Sequence, residues 1–321
     1  ADWDGARARP HWGRGMAISD QPSGAGRSAA GVSMDGAGKV TLRMSLWDTG
    51  TGAHTILRQI VAEELAIPVE DVTLEVEDTD AVPFDSGSGG SRVTYTSGQA
   101  ALGAAKELTN KLIAIAAELF ECPTERIRRE NGRFILDGDS SRVLTLEDVA
   151  ARAVSATQGP VAGELTYTAP PSGVTSFCAQ VAEVEVDTET GEVNVIRFVT
   201  AHDVGTIINP MTHQGQIDGG VIQGLGYALM EEMQTEEGRI STLTLGDYKI
   251  PTIRDIPRLE TVILEPAPGP APYEGKGIGE TSNVPVAAAI ANAVHDAVGV
   301  RIRDLPITAE KVLAALKEQG S

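Results

Sequence analysis

Three short glycine-rich stretches constrain the fold of this chain more than any other feature. They are TGTGAHT at residues 49–55, DSGSGGSR at 85–92 and EGKGIGETSNVP at 274–285, and each precedes a segment with a helical pattern. Glycine lets the backbone approach a ligand closely, and a helix N-terminus presents N–H groups without an intrahelical partner. Together the three stretches predict a site for an extended phosphorylated ligand. The alternative, that each glycine only forms a tight turn, accounts less well for three such stretches with polar residues inside them.

The segments between these stretches show both strand and helix patterns. Residues 38–48 alternate apolar and polar side chains as a strand does, and residues 98–120 form a long alanine-rich helical segment. Further on, QVAEVEV and EVNVIRFV flank the turn DTETG, which predicts a β-hairpin with Gly191 at a positive φ. We therefore predict an α+β fold that consists of two mixed α/β subdomains.

A polar stretch rich in Gly, Pro, Ser and Thr at residues 157–176 is typical of a boundary between such units. We place the two subdomains at residues 1–165 and 166–321. The chain has 321 residues, of which 41% are hydrophobic and only 4% are aromatic. Val, Ile, Leu and Ala must therefore fill the interiors of both subdomains.

Charge and cysteine content exclude several classes of partner. The 26 Lys and Arg residues against 45 Asp and Glu residues give a net charge of −19, which disfavours nucleic acid and anionic membranes as partners. The sequence has no run of about 18 apolar residues, so we expect no membrane insertion. The two cysteines, Cys122 and Cys178, do not suggest a disulfide scaffold, and this fits a protein of the reducing cytoplasm.

Common metal and nucleotide motifs are missing from the sequence. The five histidines do not pair at i, i+2 or i, i+4, so the chain's own side chains are not expected to hold a transition metal. The stretch GTGAHT departs from G-x-G-x-x-G at its last position, and GGVIQGLG lacks the GK[ST] of a phosphate-binding loop. A standard Rossmann or P-loop nucleotide site is therefore not predicted.

An ordered set of motifs resembles the C-terminal part of the molybdenum-binding subunit of the xanthine dehydrogenase and aldehyde oxidase family. In chain order the set consists of TGTGAHTILRQIVAEELAIPVEDV, DSGSGGSRVTYTSGQA, DVGTIINP, GQIDGGVIQGLGYALMEE, GDYKIP and KGIGETSNVPVAAAIANAVHDAVG. The resemblance runs from about residue 30 to residue 317. It implies that both subdomains bind molybdopterin and that the second carries a catalytic glutamate.

The resemblance implies a pterin dithiolene cofactor, in its cytosine dinucleotide form, that itself holds the molybdenum. It also implies hydroxylation of an electron-poor carbon with oxygen derived from water, with transfer of two electrons to 2Fe-2S clusters and FAD. A chain with two cysteines cannot ligate such clusters, so we expect separate Fe-S and FAD subunits as partners.

The resemblance also assigns roles to individual residues. Glu280 matches the family's catalytic base, and Gln223 matches a glutamine close to the metal's oxo ligand. Residues of the glycine-rich stretches and of one later segment match the family's cofactor contacts: Gly50, Thr51, Gly52, Gly89, Gly90, Ser91, Arg92, Gln216, Gln223, Lys276, Gly277, Ile278 and Gly279.

The sequence departs from the family pattern in two respects. Thr51 replaces the glutamine that is common in the first loop, and no counterpart of the family's N-terminal half is present. Either the chain is a fragment, or the region is divided between two polypeptides, as in nicotinate dehydrogenase. We expect a second molybdopterin-binding subunit as partner and a nicotinate- or purine-like N-heterocycle as substrate. The alternatives are oxidation of carbon monoxide or an aldehyde on the same scaffold, or a subunit without catalytic function.

Overall fold

A computed structural model of the protein describes residues 9–76, 78, 80–82, 85–170, 175–265 and 267–319. Its strands are β1 (Trp12–Pro22), β2 (Gly26–Met34), β3 (Val40–Met44), β4 (Val72–Val76), β5 (Ile127–Glu130), β6 (Arg133–Leu136), β7 (Asp139–Leu144), β8 (Val161–Ala169), β9 (Thr175–Val186), β10 (Val193–Asp203), β11 (Thr235–Glu236), β12 (Arg239–Ile240) and β13 (Arg258–Ile263). Its helices are α1 (Ala53–Leu65), α2 (Val93–Phe120), α3 (Leu146–Thr157), α4 (Pro210–Leu229), α5 (Val286–Val298) and α6 (Ala309–Gln319). None of these helices is long and apolar enough to cross a bilayer.

The first core is built on a four-stranded sheet in the order β4-β3-β2-β8. Strands β3 and β4 are parallel, and the other two pairs are antiparallel. Helices α1 and α2 pack on this sheet. Leu42 of β3, Leu57 of α1 and Leu108 of α2 are fully buried in the core between them. Aliphatic side chains and alanine dominate this core, as the low aromatic content predicts. A small sheet of strands β5, β6 and β7 and helix α3 complete this half.

The second core is built on another four-stranded sheet, in the order β1-β9-β10-β13. Strands β9 and β10 form the predicted hairpin, and Gly191 in its turn has φ of 82°. Helix α5 covers one face of the sheet and packs against α4, burying Val184, Phe198 and Ile290. The prediction of an α+β fold is confirmed by these two helix-covered mixed sheets.

Strand β1 lies in the second sheet although it comes at the start of the chain. Gly13 and Gly15 face α5 so closely that a Cβ atom at Gly15 would lie 2.1 Å from the backbone nitrogen of Ala293. The absence of side chains at both glycines lets the helix pack directly on the strand. The second sheet therefore contains a strand from before residue 165 as well as strands from after it. The division into subdomains at residues 1–165 and 166–321 stays a prediction.

Residues 157–176, predicted as a polar boundary, contain the last strand of the first sheet and the start of a strand of the second sheet, and the boundary itself stays a prediction. Strand β8 occupies Val161–Ala169 and pairs with β2, and β9 begins at Thr175. Residues 171–174 lie outside the described part of the chain. The polar composition of this stretch arises in part because side chains on the outer face of β8, such as Glu164 and Thr166, are solvent-exposed while Val161 and Gly163 face the core.

Arg92 fixes the base of the second glycine-rich loop through hydrogen bonds within the chain. Its guanidinium donates to Asp85 Oδ1 at 3.0 Å and to the Gly87 carbonyl at 2.6 Å. It also donates to the Arg27 carbonyl and to Ser28 Oγ of β2. The side chains of Arg92 and Asp85 are only 4% and 1% exposed, so this ion pair is buried. The Arg92 side chain therefore has a structural role at this loop, and its predicted cofactor contact stays a prediction.

We predict that Asp85→Ala lowers the free energy of unfolding by about 3–5 kcal/mol, because it leaves a guanidinium buried without its counter-charge. Denaturant unfolding of the purified protein measures this change. The matched control is Arg128→Ala, which breaks an ion pair with Glu130 whose two side chains are each 53% exposed. The control should cost no more than about 1 kcal/mol. Equal effects of the two substitutions would contradict the structural role of the buried pair.

Candidate active site

A deep cleft opens between the two halves of the molecule. It contains about 1020 Å³ of empty space, part of it open to solvent. Four segments contribute to its walls, at residues 49–56, 88–94, 206–216 and 276–280. All three glycine-rich stretches therefore meet at one site, together with the start of α4. The fold brings distant parts of the sequence together in the way that the ligand-site prediction requires.

Glu280 lies at the edge of this cleft with an exposed carboxylate whose two oxygens both accept hydrogen bonds. Its Oε1 accepts from the Gly90 N–H at 3.1 Å, and its Oε2 accepts from Ser91 Oγ at 2.9 Å and Gln21 Nε2 at 3.1 Å. The Glu280 N–H donates in return to Ser91 Oγ at 3.0 Å. Neutral donors thus orient the carboxylate, and no cation pairs with it among the residues that the structure describes.

The loop that carries Glu280 presses directly against the second glycine-rich loop. A Cβ atom at Gly277 would lie 2.4 Å from the Ser91 carbonyl oxygen, so only glycine allows this approach. On the other side of the contact, Gly90 and Ser91 have φ of 62° and 57°. A left-handed conformation is uncommon for serine and costs energy unless the surroundings compensate for it. The reciprocal hydrogen bonds with Glu280 supply that compensation.

Lys276 fixes the start of the same loop. Its ammonium group lies 2.9 Å from both carboxylate oxygens of Asp203 at the end of β10, and its side chain is almost fully buried. Its backbone N–H donates to the Val204 carbonyl. Although Lys276 lines the cleft, its charge is neutralised by Asp203. In this conformation Lys276 therefore presents no unpaired positive charge to the cleft, and its predicted contact with the cofactor stays a prediction.

The backbone of the first glycine-rich loop is already engaged. Asp48 Oδ1 accepts from the N–H groups of Gly50, Thr51 and Gly52, and Oδ2 accepts from the His54 N–H. Burial on its own would raise the pKa of Asp48, but the four backbone donors outweigh it and hold that pKa below its usual value. These N–H groups therefore donate to a carboxylate of the chain itself. The contacts with the cofactor predicted for Gly50, Thr51 and Gly52 stay a prediction.

The two predicted glutamines of α4 lie in different places. Gln216 is part of the cleft wall. Gln223 is exposed two turns further along the helix, and its Oε1 accepts from Asn283 Nδ2 at 2.8 Å. Its place beside the residues that follow Glu280 links α4 to that loop. The role predicted for Gln223 near the metal stays a prediction.

Nine of the residues predicted to bind cofactor or to act in catalysis line the cleft: Thr51, Gly89, Ser91, Arg92, Gln216, Lys276, Ile278, Gly279 and Glu280. Five lie beside it without lining it: Gly50, Gly52, Gly90, Gly277 and Gln223. The sequence interpretation missed the segment before and at the start of α4, where Asn209, Thr212 and His213 line the cleft. The signal was present in the sequence, since Asn209 caps α4 and Pro210 follows at its first position.

The chemistry of the cleft suits an anionic ligand. Among the described residues that line it, Glu280 is the only acid, in a chain with a net charge of −19. Helices α2 and α4 both begin at the cleft, and the side chain of Arg92 does not cap α2. Burial lowers the pKa of His213 to about 4, so its imidazole is neutral near pH 7. Exposed helix N-termini and neutral polar groups are the features that bind phosphate and pterin groups.

Comparison with known proteins identifies the family. The sequence matches the molybdopterin cofactor-binding domain family over residues 2–257. It is 34% identical over 300 residues to the putative xanthine dehydrogenase molybdenum-binding subunit of Escherichia coli, a match that covers 91% of this chain and 39% of that protein. It is 35% identical over 293 residues to the carbon monoxide dehydrogenase large chain of Hydrogenophaga pseudoflava, covering 88% of this chain and 36% of that one.

The fold is shared with solved structures of the same family. Quinoline 2-oxidoreductase from Pseudomonas putida 86 superimposes with a TM-score of 0.90 and 31% sequence identity, over 98% of this chain and 43% of that one. The chain thus spans less than half the length of the relatives that it matches. It belongs to the molybdenum hydroxylase family and corresponds to the C-terminal half of the molybdopterin-binding subunit.

Proposed function

We propose that this chain is the catalytic part of a molybdenum hydroxylase that hydroxylates an electron-poor carbon of an N-heterocycle with oxygen derived from water. The observation that carries the proposal is the meeting of three glycine-rich stretches at one cleft, where Glu280 is the only acid among the described lining residues. Ser91, Gly89 and Ile278 would hold the pterin against the loops, and the start of α4 would bind its phosphates, which we expect in the cytosine dinucleotide form.

The molybdenum cofactor, when bound, supplies the two-electron oxidation. The chain itself supplies a base: the Glu280 carboxylate takes up a proton at the edge of the cleft. Gly90, Ser91 and Gln21 orient that carboxylate through their hydrogen bonds. A positioned general base contributes by being held within hydrogen-bond reach of the proton that it removes. 2Fe-2S and FAD subunits would accept the electrons, and we place the whole assembly in the cytoplasm.

An N-heterocyclic substrate is favoured by two of the relatives, because xanthine and quinoline are both N-heterocycles. A nicotinate- or purine-like compound belongs to this class. The second candidate function is oxidation of carbon monoxide or an aldehyde, which the similarity to the carbon monoxide dehydrogenase large chain supports. A scaffold subunit without catalytic function would leave Glu280 idle, and this is the outcome that the following substitution detects.

Glu280→Gln should lower turnover per bound molybdenum by about 10²–10⁴-fold, because the amide keeps the shape of the side chain but cannot accept the proton. Steady-state rates normalised to the molybdenum content of the assembled enzyme measure this change. The matched control is Glu274→Gln, which alters another exposed acid six residues earlier on the same segment. A rate within a few-fold of wild type for Glu280→Gln would rule out its role as the base.

The outer face of the second sheet lacks a covering layer in the described part of the chain. Met16, Ile18 and Phe177 project from β1 and β9, and Val262 projects from β13, all of them exposed. Ile18 is 75% exposed. A sheet with apolar side chains on both faces is normally buried on both faces. This outer sheet face, defined by those four residues, is therefore a candidate interface.

The segment that joins α4 to β13 carries further exposed apolar side chains. They are Met233, Ile240, Leu243, Leu245, Ile250, Ile253 and Ile256. Large exposed apolar surfaces mark interaction sites in soluble proteins. Because the chain spans less than half of its relatives, we propose that the second molybdopterin-binding subunit, with the family's N-terminal half, covers both surfaces. The contact should be obligate and bury more than about 2,000 Å².

Ile18→Lys should weaken association with that subunit at least about tenfold, because it places a charge at the centre of an apolar contact. Co-expression of the two polypeptides, followed by analytical ultracentrifugation over a dilution series, measures the association. Val143→Lys is the matched control, since Val143 is a 40% exposed valine on the separate sheet of β5, β6 and β7. If both variants assemble as tightly as wild type, the outer sheet face is not the interface.

A further inference from the structure

The inner face of the second sheet changes from apolar to polar along β9. Ala182, Val184 and Val186 belong to the apolar core beneath α5. On the same face, in the first half of the strand, the alternating positions are Ser176, Cys178 and Gln180, and all three are buried. A strand that covers a core normally keeps apolar side chains on its inner face throughout. The polar half of β9 therefore needs a partner other than the core.

Neighbouring strands extend this polar surface into a patch. Cys178 lies in register between Ser19 of β1 and His202 of β10, and Gln180 lies in register with Thr200 of β10. Thr200 and His202 are 3% and 0% exposed. We refer to Ser176, Gln180, Thr200 and His202 as the polar patch. It lies on the sheet face that is continuous with the core but beyond the end of α5.

The polar patch contacts the loop that carries Glu280, and it does so on both sides of that residue. Ser176 Oγ donates to the Gly277 carbonyl at 2.5 Å, three residues before Glu280. Gln180 Nε2 donates to the Ser282 carbonyl at 2.6 Å, two residues after it. From β1, the Gln21 amide donates to the carboxylate itself. The sheet thus holds the loop backbone at two points and the catalytic side chain at a third.

A hydrogen-bond chain fixes the orientation of Gln180. Its amide nitrogen also donates to Thr200 Oγ1 at 3.2 Å, and that hydroxyl lies 2.7 Å from His202 Nε2. Burial lowers the pKa of His202 to about 4, so the imidazole is neutral. Because the Ser282 carbonyl can only accept a hydrogen bond, the Gln180 amide nitrogen must face it, and Thr200 lies within reach of the same nitrogen.

The polar patch is costly to the fold. Gln180 Oε1, His202 Nδ1 and Thr281 Oγ1 are buried without a hydrogen-bond partner among the described residues. Burying an unpaired polar group is unfavourable, and apolar side chains of similar volume would pack here at lower cost. We propose that Gln180 and Ser176 are positioning residues that hold the Glu280 loop at the cleft. The catalytic consequence rests on the proposed role of Glu280, whereas the positioning of the loop does not.

Gln180→Met keeps the length of the side chain and removes both donors. In the purified chain, amide hydrogen exchange of residues 277–283 should become about five- to tenfold faster. In the assembled enzyme, turnover per molybdenum should fall by about 10- to 100-fold, because a base displaced by about 1 Å loses its alignment. Ser176→Ala removes a single donor with little change in volume, so it should fold normally and show a smaller change of the same kind.

Val184→Ala is the matched control, since Val184 is fully buried on the same strand and face but lies in the apolar core. It should lower stability without changing exchange of the loop or turnover per molybdenum. Unchanged loop exchange in both Gln180→Met and Ser176→Ala would overturn the positioning inference, whatever their activity. Faster loop exchange with unchanged turnover would uphold the positioning of the loop and count against Glu280 as the base.

Discussion

The contact between two loops, one from each half of the molecule, is the constraint on which the site depends. Gly277 packs against the backbone of Ser91, and Ser91 Oγ exchanges hydrogen bonds with the backbone and carboxylate of Glu280. Each half has its own sheet and its own core. The two cores hold the loops so close together that only glycine fits at residue 277, beside the Ser91 carbonyl oxygen. This close contact shapes the cleft. A side chain at Gly277 would separate the loops and displace Glu280, the only acid that lines the cleft in the described part of the chain.

Both loops are fixed in the same way, by a buried ion pair at the base. Arg92 pairs with Asp85 at one loop, and Lys276 pairs with Asp203 at the other. A basic side chain near a glycine-rich loop is readily interpreted as a ligand for phosphate. Here both charges are neutralised within the chain, and the loops present backbone, hydroxyl and amide groups to the cleft instead. Such neutral donors bind an anion without the desolvation of a free charge.

The sequence predicted those parts of the fold that depend on local patterns. The strand within residues 38–48, the long alanine-rich helix and the hairpin turn at Gly191 are all present. Such features are decided by residues that are close together in the sequence. Strand β8 was missed because half of its side chains face solvent, and β1 was missed because its glycines gave no apolar pattern.

The candidate site was predictable in outline and unpredictable in detail. Glycine-rich stretches before helices identified three of the four walls of the cleft, and the family resemblance identified Glu280. The partners of Lys276, Arg92 and the first loop could not be predicted, because Asp203, Asp85 and Asp48 are acids with no distinguishing local pattern. The pairing of acidic and basic side chains depends on how distant segments pack together, and no local sequence pattern indicates it.

The central claim is that the cofactor binds where the two loops meet. A crystal structure of the assembled protein with molybdenum and pterin bound is its most direct test. We predict pterin density in the cleft between residues 88–94 and 276–280, with the Glu280 carboxylate facing the metal. Density for the cofactor at another surface of the chain, with Glu280 remote from the metal, would contradict the claim.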